Sequence, residues 1–108
     1  MKAVYVQPGK NLDYRNETGS LIEAGSVVQI GSRIGIAGTT IPAGELGSIV
    51  MEGIYKLPKK AEEAVILGAE LAYEESGMTA ATNQKKAVGY AVAAAKAEDS
   101  AVLVKLLG

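Results

Sequence analysis

Residues Leu46 to Lys60 read LGSIVMEGIYKLPKK, and their alternation limits the fold more than any other stretch. Ile49, Met51, Tyr55 and Leu57 are apolar at odd positions, with Gly47 and Gly53 between them. The even positions mix Ser48, Glu52 and Lys56 with Leu46, Val50 and Ile54. Successive side chains of a strand point to opposite faces, so a period of two implies a strand with one buried and one half-wet face. A shorter alternation runs from Val28 to Ile36. Pro42 to Gly44 separates the two, and Pro58 ends the second. The pair is expected to be the central ladder of a mainly β domain, a sandwich or barrel-like meander with at most one or two short helices.

The 108 residues suffice for one domain, 1–108, with one modest core. Five tyrosines are the only aromatic residues, so that core must come from Val, Ile, Leu, Ala and Met. Thirteen glycines supply many turns, which suits short strands better than a helical bundle. Small domains with limited cores often gain from oligomerisation.

Along the chain, Ala3 to Gln7 is a candidate strand stopped by Pro8-Gly9. Leu12 to Asn16 alternates weakly, and Asn16 to Ser20 is polar turn material. Gly31-Ser32 should make a tight hairpin within Val27–Ile36. Gly38 to Gly47 connects onward with Ile41 as its large apolar anchor. Helix formers over Ala61–Leu67 predict a short helix or helical turn, although Gly68 follows. Glu70–Glu74 should be a strand with Leu71 and Tyr73 inward, Glu75 to Gly77 a turn, and Met78–Ala81 a short strand. Val88, Tyr90 and Val92 alternate with Gly89 and Ala91 as in a strand. Val102, Val104 and Leu106 should share one side of a final strand.

Without His or Cys, the Ser-His-Asp and Cys-His mechanisms and ordinary zinc sites are excluded. Glu62-Glu63 and Glu74-Glu75 are adjacent in sequence and do not converge as an acid–base couple. Gly31 to Gly38 lacks G-x-G-x-x-G spacing, and Gly9-Lys10 lacks the rest of a P-loop. A formal charge of −1 gives no electrostatic reason for nucleic-acid binding. The tyrosines lie singly and read as half-buried core. No apolar run reaches the 18–20 residues or so of a membrane span, so a soluble chain without an export signal is expected. No cofactor, metal, membrane or small-molecule substrate is implied.

Several segments taken in order resemble the small capsid cement, or head decoration, proteins of tailed bacteriophages and prophages. They are Tyr5 to Gly9, Gly35 to Ala37, Pro42 to Glu45, Glu52 to Pro58, Leu67 to Tyr73, Val88 to Ala94 and Val102 to Leu106. The resemblance implies a β-rich, often trimeric protein that binds the outside of an assembled head and reinforces it without catalysis. Its partners would be the major capsid protein and copies of itself. It would be made in the bacterial host cytoplasm and reside on the virion surface. The alternative is another phage assembly part, such as a tail or connector subunit. The family has also carried a recombinase label, but a phosphate-cradling loop and a large α/β core are missing here. The resemblance transfers no site residue. The low charge and apolar character of Lys2–Pro8 and of the loop Gly38–Leu46 instead make Val4, Tyr5, Val6, Gln7, Pro8, Thr40, Ile41 and Pro42 the candidate capsid or subunit contacts.

Overall fold

A computed structural model describes all residues, 1–108, and contains nine strands and no helix. In chain order these are β1 (Asn11–Arg15), β2 (Val27–Ile30), β3 (Arg33–Ala37), β4 (Leu46–Val50), β5 (Ile54–Pro58), β6 (Glu70–Ala72), β7 (Thr79–Ala80), β8 (Gly89–Ala91) and β9 (Ala101–Leu106). They form two antiparallel sheets. The first has the order β1-β4-β3-β2 and the second β5-β9-β8-β6-β7. The mainly β class expected from the alternation is the class observed.

The odd positions of Leu46–Lys60 other than Gly53 are buried or half-buried, yet the stretch is two strands in two sheets. Gly53, at φ 124°, lies in the bend between them, a backbone conformation that disfavours residues with a Cβ. Ile49 and Met51 therefore enter one apolar cluster with Val28, Ala37 and Ile41. Leu57 enters another with Ile34, Ile36, Leu71, Val102, Val104 and Leu106. The expected central ladder survives as β3–β4, with Ile36 opposite Val50 and Ala37 opposite Ile49.

The β2–β3 hairpin turns at Gly31-Ser32, as its sequence predicts. Its register pairs Val27 with Ile36 and Val28 with Gly35. Odd residues of one strand therefore share a face with even residues of the other. Ile34 and Ile36 point to the larger cluster, while Val28 and Ala37 point to the smaller. β3 is thus buried on both faces, and a Cβ at Gly35 would run into Ile49 Cγ2 and lie 2.7 Å from Met51 Sδ.

In the second sheet, β9 carries Val102, Val104 and Leu106 inward, as expected. β8 forms where Val88–Val92 alternates, but Gly89 and Ala91 are buried within it while Tyr90 is only half-buried. The small residues let the backbone lie against β9. A parallel bridge between Lys59 and Met78 ties the end of β5 to the start of β7. The sheet curls without closing into a barrel.

Two local expectations are corrected. No helix forms at Ala61–Leu67. Glu62 has φ 64° and Gly68 φ 85°, both left-handed. The Val65 backbone exchanges hydrogen bonds of 2.8 and 2.9 Å with Ala95. The Lys59 ammonium takes the carbonyls of Lys60 (2.9 Å) and Glu63 (2.6 Å), which a helix would need for its own ladder. Nor is Ala3–Gln7 a strand. No strand partner lies beside it, and the segment stays off both sheets.

Candidate docking surface

Three exposed features stand out, and each is positioned by the fold. The first is the N-terminal arm, Met1–Pro8. Val4, Tyr5 and Val6 are 86, 80 and 83 % exposed. No hydrogen bond joins residues 1–9 to the remainder of the chain. The arm is rooted at Lys10, whose carbonyl accepts a 2.7 Å bond from the Met51 amide. Tyr5 is therefore the one tyrosine that is not half-buried; Tyr14, Tyr55, Tyr73 and Tyr90 are.

The second feature is the loop Gly38–Gly47, held by a buried polar network. Asn16 is fully buried. Its amide donates to the carbonyls of Ser20 (2.6 Å) and Ile41 (2.8 Å). Its side-chain oxygen accepts from the backbone N–H and hydroxyl of Thr18, at 3.0 and 2.6 Å. Its backbone receives the Gly44 amide at 2.7 Å and donates to Glu45 at 2.9 Å. Arg15 Nη1 adds a bond to the Gly44 carbonyl. Paired Ile22–Ile41 backbone bonds of 3.0 and 2.8 Å complete the tether. The loop is thereby held before any partner binds, which lowers the ordering cost of binding.

The candidate contact residues divide on this evidence. Val4, Tyr5, Val6, Gln7, Pro8, Thr40 and Pro42 are all exposed. Ile41 is fully buried in the smaller cluster beside Ile49 and Met51. Its role is the anchor its sequence context suggests, and its side chain cannot reach an outside partner from there. The Thr40 hydroxyl accepts the Ala24 amide at 3.3 Å on the surface.

The third feature is absent from the sequence reading. A cleft of 780 Å³ opens where the two sheets meet, lined by Lys10, Val50, Glu52, Ile54, Tyr90 and Leu107 among others. Ile54 and Leu107 are 59 and 47 % exposed. Lys105 Nζ lies 5.9 Å from the Tyr90 ring centroid on the same wall. The residues come from β1, β4, β5, β8 and β9, so only the tertiary fold assembles them. The sole sequence signal is that Ile54 occupies an even, outward position beside inward Tyr55.

Electrostatics add one cluster away from the cleft. Glu74 pairs with Lys60 and Lys85, each at 3.0 Å. Hydrogen bonds from Lys60 and then Lys85 hold its carboxyl below the ordinary value, and the bond to Glu74 holds Lys60 above its own. The groups are solvent-exposed and make a surface clamp on the loop that carries Lys85. No three His, Cys, Asp or Glu side chains are grouped to hold a metal ion.

These elements define a small two-sheet β domain whose distinctive surfaces are an apolar arm, a braced loop and an inter-sheet cleft. Residues 6–106 match the family model described as phage cement protein, and the chain belongs to that family of structural phage proteins. Comparison with curated proteins and with solved structures returned no match.

Proposed function

We propose that the protein binds the outer face of an assembled phage head and associates with copies of itself, with the arm and the braced loop as its capsid or sister-subunit contacts, and so reinforces the shell without catalysis. Family membership supplies the capsid context. The observation that carries the reading is the arm: three consecutive apolar side chains, Val4 to Val6, stand exposed with no partner in their own chain. Isolated apolar side chains are common on surfaces, but a contiguous exposed run marks a contact site. An extended segment with free backbone groups can add a strand to an open sheet edge of a neighbour. Thr40 and Pro42 offer a second, rigid contact at the loop.

The main partner in this reading is the major capsid protein, and the second is the chain itself, as a trimer. A shell presents the same site many times. Contacts too weak to hold one copy become strong when linked copies bind together. The mature location is the capsid surface, after synthesis in the host cytoplasm.

The test is to mix the purified protein with purified expanded heads and sediment them, then to heat the heads and follow genome release. Saturable co-sedimentation and release at a higher temperature are expected. Protein that stays in the supernatant with heads but binds isolated tail tubes or portal rings would overturn the capsid reading.

A further inference from the structure

The arm and the inter-sheet cleft each lack a partner within the chain, and their chemistries match. We propose that residues Met1–Pro8 of one chain dock in extended form into the cleft of a second copy. This deepens the function proposed above and rests on its self-association half.

Four observations carry it. The first is the apolar pairing. In an extended arm Val4 and Val6 share one face. The cleft offers Val50, Ile54, Tyr90 and Leu107 to such a face, with Ile54 and Leu107 left exposed in the single chain. The second is charge. Lys2 is the one charged side chain in residues 1–8, so seating Val4 to Val6 buries no ionised group. The cleft lining carries Lys10 and Lys105 beside a single carboxylate, Glu52, so the fit is apolar and Lys2 stays in water at the rim.

The third is size. Eight extended residues span about 26 Å, and the whole chain, arm included, measures 40 × 39 × 23 Å. The arm can therefore cross from one body onto the next. A cleft of 780 Å³ is also large enough for several residues of an extended chain. The fourth is the root. Lys10 lines the cleft and is fixed there by the bond from Met51. The arm leaves from the lip of its own cleft, and none of residues 1–9 lines it. A chain that donates an arm at the lip where it also receives one makes a head-to-tail contact, which gives a ring where the rotation between copies closes.

The natural absence of cysteine makes the test direct. Two exposed single variants, Val6→Cys and Leu107→Cys, are purified apart, mixed, and oxidised mildly in the absence of heads. The expected product is a disulfide-linked heterodimer, formed at least about tenfold more than from Val6→Cys mixed with Ser76→Cys, which lies in a turn outside the cleft; tenfold corresponds to a modest docking preference. In parallel, Ile54→Asp places a charge on the exposed cleft wall without entering the core, and should weaken self-association at least about tenfold by light scattering. Heterodimer no more abundant than the control overturns the docking, and if the unmodified chain is still oligomeric the self-association reading survives it. Closure within single chains of the Val6→Cys/Leu107→Cys double variant, with no intermolecular product, places the arm in its own cleft and overturns the exchange. A chain that is monomeric at every concentration overturns both. Head binding is read separately by sedimentation and is not at stake in these outcomes.

Discussion

The side-chain amide of Asn16 donates a 2.8 Å hydrogen bond to the carbonyl of Ile41, joining the end of β1 to the loop 25 residues later. Both residues are fully buried. The same amide also holds the Ser20 carbonyl, and the Asn16 side-chain oxygen holds Thr18. Asn16→Ala takes one of two donors from each carbonyl, since that of Ile41 also accepts the Ile22 amide and that of Ser20 the Thr18 hydroxyl, and it leaves the Thr18 amide without its acceptor. Each lost hydrogen bond contributes about 0.5–1.5 kcal/mol, so the variant should lose about 1–3 kcal/mol in denaturant unfolding at unchanged slope. Asn16→Asp should be worse, since a carboxylate faces the same two carbonyls. A loss below about 0.5 kcal/mol in Asn16→Ala, in the range of an ordinary surface change, would show that the loop is not held by this residue.

Gly35 gives the next expectation. Between Ile49 and Met51 there is no room for a methyl group. Gly35→Ala must push β3 and β4 apart or force Ile49 from its rotamer, which costs about 1–3 kcal/mol. Shortening the obstructing side chain should relieve part of this. The double variant Gly35→Ala/Ile49→Ala, which removes the obstructing Cγ2, should therefore be less destabilised than the sum of the two single changes, a coupling that a double-mutant cycle measures. Strict additivity would mean the added methyl group is accommodated elsewhere.

How far the sequence can be read follows from which physics is local. Alternation is local, so the strands at 46–50, 54–58 and 101–106 and the inward face of each were legible in Ile49, Leu57 and Val104. The assignment of those faces to two different cores was not, because it depends on the bend at Gly53, and a glycine in an alternating stretch reads equally as a strand residue. The hairpin at Gly31-Ser32 was legible, yet the pairing of Val28 with Gly35, which sends Val28 and Ile36 to opposite faces, is a matter of register. Helix propensity misled at Ala61–Leu67 because tertiary hydrogen bonds from Lys59 and Ala95 outweigh the small intrinsic preferences of Ala and Glu. At the docking surface the apolar arm could be seen as a segment, but its detachment from both sheets could not. Ile41 was correctly placed as an anchor, and the same burial removes it from the outward contact set. The cleft draws on five strands and has no linear signature at all.

Lys59 is a buried cation that satisfies its three donors with backbone carbonyls alone: Lys60 at 2.9 Å, Glu63 at 2.6 Å and Ala97 at 3.3 Å. It ties the irregular segment 60–63 to the turn before β9. Lys59→Ala leaves those carbonyls without a donor and opens space beside Glu63, whose carboxylate accepts from the Thr79 hydroxyl at 2.9 Å. A loss of about 2–4 kcal/mol is expected from the unpaired carbonyls and the lost packing of the aliphatic stem. Amide hydrogen exchange should accelerate at Val65 and Ala95, whose mutual bonds lie beside this junction, before it does in β3. Uniform acceleration through both sheets would instead indicate global loss of stability without a local pin.

The clamp at Glu74 sets a pH dependence with a definite shape. Its carboxyl is held below the ordinary 4.5 by hydrogen bonds from Lys60 and Lys85, and Lys60 is held above the ordinary 10.5 by its bond to Glu74. A depressed carboxylate stabilises the fold above 4.5 and loses that effect as pH falls through its lowered value. A raised lysine stabilises up to 10.5 and loses the effect as pH rises through its higher value. The clamp therefore contributes a plateau between these limits that declines on both sides. The three side chains are 30–44 % exposed, so solvent and salt screen the pair and the plateau is low. Melting temperatures of the natural chain and Glu74→Gln should differ by a small, constant amount across neutral pH. That difference should shrink in acid as Glu74 protonates, and shrink at neutral pH when salt is raised toward 1 M, where screening acts within about 3 Å. A difference that keeps its full size in strong acid would mean that Glu74 acts through packing and not through its charge.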